Sequence, residues 1–315
     1  MLNLKLKIRW VVNNLKFRLK YYKIFHKKRG EENVTIFFLQ KMNLYPGIAD
    51  IIKAIVGSYY ISKINGTSFK IVFKYPFILS DYLAPNQINW EIQNNEIDYS
   101  MLHTSLINYK GVGHKIIYPK SSNQYHIYNF MGLNILQRNN VQDWEKKWHE
   151  LFWELFKPTS LIKDSLDNIP FKEGDFIAVH IRFVNALEIT EPSCLSWSHP
   201  LDTCKKDALL KKIFTMIDKL WGNSTSNILL FSDSNEFLDI AKTRGIECLP
   251  GKVGHIGYKD KQDTVLKTFI DWFAMAKASK IYRIKGDCLY NSAFPLYASL
   301  IGNKPYIELN LNDYE

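Results

Sequence analysis

The chain has 315 residues, 46% of them apolar and 23% charged, the balance of an ordinary globular protein, which excludes disordered and collagen-like classes. That length fits two medium α/β domains, each with a core of its own. The formal net charge is +10, but ten of the 41 basic residues (Lys5, Lys7, Arg9, Lys16, Arg18, Lys20, Lys23, Lys27, Lys28 and Arg29) precede the first acidic one, Glu31, and the other 31 balance 31 acidic residues, so the body is neutral.

At helical spacing Ile8, Val12, Leu15, Leu19 and Tyr22 form one stripe, with Lys16, Arg18, Lys20, Lys23 and Lys27 largely around it. Residues 1–30 are therefore expected to form a basic amphipathic helix. Such a helix either lies on an anionic leaflet, each Lys or Arg adding about 1 kcal/mol near the surface, or docks on the protein with a solvated basic face. The neutral body argues against nucleic acid as a partner. No apolar run of about 20 residues would span a bilayer, and no signal-peptide core precedes small residues. A cytoplasmic protein, peripheral at the inner membrane face, is expected. Cys194, Cys204, Cys248 and Cys288 show no CxxC spacing, so no metal site is expected and the thiols read as reduced; only Cys194 and Cys204, which flank one loop, are candidates for a bridge.

In chain order, Val34-Thr-Ile-Phe-Phe-Leu39 reads as a buried strand, Asn43 to Gly47 as a turn, Ile48 to Lys63 as a helix and Phe69 to Phe73 as a second strand. This βαβ order predicts a parallel sheet. The stretch from Pro85 to about Asn140 gives only short strand candidates such as Lys115-Ile-Ile-Tyr118. An aromatic-rich helix, Trp144 to Phe156, ends before Pro158, and Ser165 to Pro170 resembles a linker. A second series follows: strand Phe176 to Ile181, helix Lys205 to Leu220, strand Asn227 to Phe231, helix Glu236 to Thr243, a short strand near Ile246, helix Asp263 to Ala278, strand Lys280 to Ile284 and helix Ser292 to Gly302. Alternation of this regularity predicts a doubly wound domain, whose ligand sits beyond the carboxyl ends of the strands. The expected organisation is a basic helix over 1–30 and α/β domains over 31–165 and 166–315.

Four polar strand or helix ends on that rim carry candidate chemistry. His180 and Arg182 share a face at the end of the first strand of the series, and Arg offers a fork of donors matched to phosphate; taken alone, the pair reads rather as a core histidine and an arginine paired with a neighbouring carboxylate. Ser232 and Asp233 end the next strand, where Ser234 or Asn235 can cap the following helix; Asp233 is left to accept from a base or to hold the site in order. Asp271 stands on an otherwise apolar helix face and needs a partner, either a salt bridge or a base with adjacent N–H donors. Asn291, Ser292, Ala293 and Phe294 open a helix, where free backbone N–H groups bind phosphate oxygens and Pro295 fits the first turn.

Together these segments resemble the fucosyltransferase superfamily that includes the α1,6, the α1,2 and the protein O-fucosyltransferases. The resemblance rests on the His180-x-Arg182 strand end, Ser232-Asp233, the helix Asp271 and the Asn291-Ser292-Ala293-Phe294 start, with a fainter echo at Gly47-Ile-Ala-Asp50. Asn185 stands where the family has an acidic residue, and Pro295 where a serine is common. The resemblance implies a GT-B fold, two Rossmann-like domains facing a cleft, with the nucleotide of GDP-fucose held mostly by the C-terminal one. It further implies that Arg182 meets the diphosphate, that Asp271 and His180 recognise guanine, and that no metal or cofactor is needed, in keeping with the lack of an Asp-x-Asp motif. The implied reaction is an inverting transfer of fucose to a glycan or lipid-linked glycan, with Asp50 the candidate base across the cleft. Another GDP- or UDP-sugar donor is one alternative, and a non-catalytic basic protein that binds membrane or nucleic acid through residues 1–30 is another.

Overall fold

The computed structural model describes residues 12, 15–24, 32–39, 46–107, 118, 122–128, 134–189, 200–222, 227–254, 256, 262–286 and 288–314. Its first half is built from β1 (Val34–Leu39), α1 (Ile48–Ile64), β2 (Ser68–Phe73), β3 (Leu83–Pro85), β4 (Thr104–Ile107) and β5 (Gln124–Tyr128). The helices α2 (Ile135–Arg138) and α3 (Trp144–Leu155), the short strand β6 (Phe156–Pro158) and α4 (Ser160–Leu166) follow. Four strands form a parallel sheet in the order β2-β1-β5-β4. All six residues of β1 are buried, which is what an unbroken apolar run gives when both faces of a strand are covered. Next to it, β2 alternates buried and more exposed positions as the sheet's edge.

The second half contains β7 (Phe176–Ile181), α5 (Thr203–Gly222), β8 (Asn227–Ser232), α6 (Asn235–Thr243), β9 (Glu247–Cys248), α7 (Gln262–Ala276), β10 (Lys280–Lys285), α8 (Phe294–Gly302) and β11 (Tyr306–Asn310). Its parallel sheet runs β11-β10-β7-β8-β9. The chain leaves the central β7 toward β8 and β9, then returns to β10 on the other side, so the topological switch point lies at the carboxyl ends of β7 and β10.

Several expectations need correction. The helix expected from Ser292 begins at Phe294, two residues later. α3 stops at Leu155 because Phe156–Pro158 pairs antiparallel with Leu83–Pro85, and the first two residues of the expected linker, Ser165 and Leu166, belong to α4. The opaque stretch supplies two strands of the first sheet, β4 and β5, while Lys115 to Ile117 lie outside the described residues. Cys204, Cys248 and Cys288 are free thiols; Cys194 lies outside the described residues.

One apolar cluster runs through both halves, joining Phe37, Ile52 and Phe152 to Phe176, Trp272 and Tyr297. α3 makes the connection. Its Trp148 is fully buried against Tyr297 of α8, while His149 Nδ1 donates to the Leu300 carbonyl at 2.7 Å and Trp153 Nε1 to that of Ile301 at 3.0 Å. These two carbonyls belong to the last turn of α8, where the i+4 donors of the helix have run out and Leu300 has only the long 3.4 Å bond from the capping Asn303 N–H. At the same end, a Cβ on Gly302 would lie 2.1 Å from the Ala276 carbonyl oxygen of α7. Gly302→Ala is therefore expected to destabilise by about 1–3 kcal/mol in denaturant unfolding; Gly222→Ala, where nothing lies within 4 Å of the added atom, should be neutral. Equal midpoints for the two variants would refute the close α7–α8 approach.

The N-terminal segment, helical over residues 15–21, is docked on the first sheet. Tyr22 is buried, its hydroxyl 2.7 Å from His126 Nδ1 and 2.8 Å from the Tyr128 hydroxyl. Lys23 bridges to Ser100 through backbone bonds with Tyr99 and Met101, and Arg18 donates to the Thr104 carbonyl. The expected stripe is thus split: Tyr22 faces the protein, whereas Val12, Leu15 and Leu19 are 42%, 55% and 61% exposed, and Ile8 lies outside the described residues. Among the described residues, no helix is long and apolar enough to cross a membrane.

Candidate functional site

The carboxyl ends of β7 and β8, the amino end of α1, the inner face of α7 and the loop before α8 line one cavity. His180, Arg182, Ser232, Asp233, Asp271, Ser292 and Phe294 all border it, and Gly47 and Ile48 close it from the first half. Asp50, Asn185, Asn291 and Ala293 do not line it.

His180 stands in β7 between Arg283 of β10 and Phe231 of β8. It is buried, its ring 5.7 Å from that of Phe294, and its Nδ1 meets no hydrogen-bond partner among the described residues. Burial, with the nearby charges of Arg182 and Arg283, holds its pKa down to about 3. The imidazole is therefore neutral at physiological pH, with one donor and one acceptor nitrogen.

Just past the strand, the Arg182 guanidinium lies over the Tyr290 ring at 5.0 Å, and its Nε is 3.6 Å from Asp233 Oδ2. Tyr290 N donates to the Arg182 carbonyl at 2.9 Å, so the loop before α8 grips the arginine by ring and backbone. Across the cavity, a Cβ on Gly47 would come 4.0 Å from Arg182 Nη1. The fork therefore sits between the two halves, next to the amino end of α1, where the helix dipole also favours an anion.

Of the two readings open for Asp233, the geometry supports holding the site in order. Its carboxylate accepts from the backbone N–H groups of Phe183 and Val184, both at 2.8 Å. Val184 has a φ of 56°, a left-handed conformation that a β-branched residue adopts only under constraint. The clamp holds the turn that aims Arg182. Ser234, not Asn235, caps α6, accepting from Phe237 N at 3.2 Å. Asn235 instead exchanges two bonds with the backbone of Val253, fastening the cavity wall at Val253-Gly254.

Asp271 is buried in α7 and ion-paired to Lys267 one turn earlier. Burial raises its pKa, an effect that Lys267 opposes. Ser292 is buried with its Oγ accepting from Phe294 N at 3.3 Å. Asn291 is exposed and its side-chain oxygen accepts from Arg283, which also reaches the Ser292 carbonyl at 3.3 Å and Glu308 at 3.0 Å. Asn291 and Ala293 were expected to offer backbone donors at a helix start; with α8 beginning at Phe294, both precede that start. Asp50 occupies the first turn of α1, ion-paired to Lys53.

Sequence reasoning missed Lys267, Arg283 and Tyr290. Only Lys267 left a signal, its i,i+4 spacing to Asp271 on an apolar helix.

Two parallel-sheet α/β halves, with the cavity between them at the switch point of the second, define the GT-B class of fold. The particular fold is that of fucosyltransferases. NodZ α1,6-fucosyltransferase soaked with GDP-fucose is similar to this chain with a TM-score of 0.52 and 13% identity, over 87% of this chain and 93% of that one. The same enzyme co-crystallised with GDP gives 0.54 at 13% identity, over 87% and 93%. A FUT1 variant from Arabidopsis thaliana in complex with GDP gives 0.53 at 9% identity, over 94% of this chain and 74% of that one. No family model and no curated protein sequence matches the chain.

Proposed function

We propose that the chain is a glycosyltransferase that transfers fucose from GDP-fucose, with inversion and without metal, to a hydroxyl of a glycan or lipid-linked glycan. The carrying observation is the pairing, at the switch point, of a buried neutral His180, its Nδ1 without a hydrogen-bond partner among the described residues, with the Arg182 fork beside it. The nucleotides named for the neighbouring structures, GDP-fucose and GDP, suit those groups.

In this reading Arg182 takes up the charge that develops on the diphosphate as the sugar–oxygen bond breaks, a role that a preorganised guanidinium fills without a metal ion. Tyr290 and the Asp233 clamp hold it there. His180 and Asp271 meet the base, and Ser292 with the Gly47 turn borders the phosphates. The acceptor hydroxyl loses its proton as it attacks; Asp50, its side chain 38% exposed on the first turn of α1, is our candidate base. Val12, Leu15 and Leu19, exposed beside Lys16 and Lys20, are the surface that would rest on an anionic leaflet and bring a lipid-linked acceptor to the cleft.

Incubation with GDP-fucose tests this. Release of GDP is expected, unaffected by EDTA. Loss of turnover in EDTA would refute the metal-free step, and neither turnover nor GDP binding would refute the function.

A further inference from the structure

The feature that this function leaves unused is Lys267. A lysine buried to 5% exposure on an apolar helix face is costly, and it lies against Asp271, the one carboxylate that both lines the cavity and stands on α7. Gly251, at a φ of 97°, packs on its stem so closely that a Cβ there would lie 3.2 Å from Lys267 Cδ. Thr268, the next residue of α7, borders the cavity, as do Val253 and Gly254 on the loop that follows Gly251.

We propose that Lys267 is the residue that sets base specificity, acting as a positioning group that keeps Asp271 an ionised double acceptor for the adjacent N–H donors of a guanine. This rests on the nucleotide-sugar reading above and deepens it. Without a counter-ion, a carboxyl buried in this cavity holds its proton, and the neutral acid turns an O–H toward a base that itself presents only N–H groups there. Lys267 occupies one lone-pair direction of Oδ1 and leaves the remaining acceptor sites of the carboxylate. Uracil has one such donor and adenine presents a donor beside an acceptor, so neither uses both.

The other charged or titratable groups around the pair do not supply this. Cys248 of β9 lies near both, its thiol pushed up to about 11 by burial and therefore neutral. His180 of β7 is neutral, Arg182 is placed against Asp233, and Arg283 of β10 binds Asn291 and Glu308.

The test is calorimetric GDP affinity of the full chain and of Lys267→Met between about pH 7.5 and about pH 9, where the terminal phosphate of GDP is already fully ionised. The wild type should be flat across that range. Lys267→Met should lose about tenfold or more at the lower end of that range and regain affinity as the pH rises and Asp271 ionises, and it should no longer prefer GDP over IDP, which lacks the guanine amino group. Lys267→Arg should keep most of the affinity and the flat profile. Wild-type binding of GDP together with a flat, undiminished profile for Lys267→Met would overturn the role of Lys267 alone. Failure of the wild type to bind GDP would instead overturn the nucleotide reading beneath it. Should Lys267→Met not fold, Asp271→Asn answers in its place: retained GDP-over-IDP preference in that variant would overturn the proposal.

Discussion

Arg182→Ala should weaken GDP binding by about a hundredfold or more, because truncating a charge that pairs with a partly buried diphosphate removes 2–5 kcal/mol at about this level of desolvation. The fold should survive. Arg182 contributes no core packing: its guanidinium lies between Tyr290, Asp233 and the Gly47 turn, and the backbone of the strand end is held independently by the Asp233 clamp. Calorimetry with GDP, beside a thermal melt, separates the two effects. Unchanged affinity with an unchanged melt would remove the phosphate role. Lys at this position should recover little, since the ammonium lacks the planar fork and the stacking on Tyr290.

Acid should unfold the protein through two histidines. His126 and His180 are both buried, and burial holds both near pKa 3. His126 is locked neutral by its partners: the Gln124 side-chain oxygen can only accept, so Nε2 donates to it at 3.1 Å and Nδ1 accepts from the Tyr22 hydroxyl. The folded pKa lies below the unfolded one, so between the two values the unfolded chain binds more protons and stability falls as the pH drops. Each imidazole contributes up to about 1.4 kcal/mol per pH unit once the pH is well below about 6.5. Two of them erode most of a typical stability of about 5–15 kcal/mol before pH 3. Denaturant unfolding at a series of pH values should show this loss, and His180→Asn should reduce its slope by about one proton. Constant stability from neutral pH to about pH 4.5 would contradict the neutral burial of both rings.

How much of this was legible in the sequence follows from where each residue finds its partners. The strands β7, β8 and β10 and the helices between them were readable because apolar runs and turn residues alternate locally; the rim residues His180, Arg182, Ser232 and Asp233 were readable because the switch-point rule says where to look, and Asp271 because a carboxylate on an apolar helix face needs a partner. β5 was not. Its sequence, Gln-Tyr-His-Ile-Tyr, is polar, and it is buried only because Tyr22, Asp98 and Glu96 supply partners from far away in the chain. β11 escaped notice as an edge strand of partly exposed residues. The α8 start was misplaced because Ser292 has the chemistry of a cap, while Arg283, itself placed by β10, holds Asn291 and the Ser292 carbonyl in the preceding loop. Asp50 illustrates the same limit: nothing local reveals that Gly47 and Ile48 line the cavity while the Asp50 carboxylate, two residues on, pairs with Lys53.

A crystal structure of the chain with GDP is the most direct test of the central claim. The diphosphate is expected on Arg182, between β7 and the Gly47 turn, with guanine against His180 and Asp271. Nucleotide bound elsewhere, or an empty cleft at saturating GDP, would contradict it.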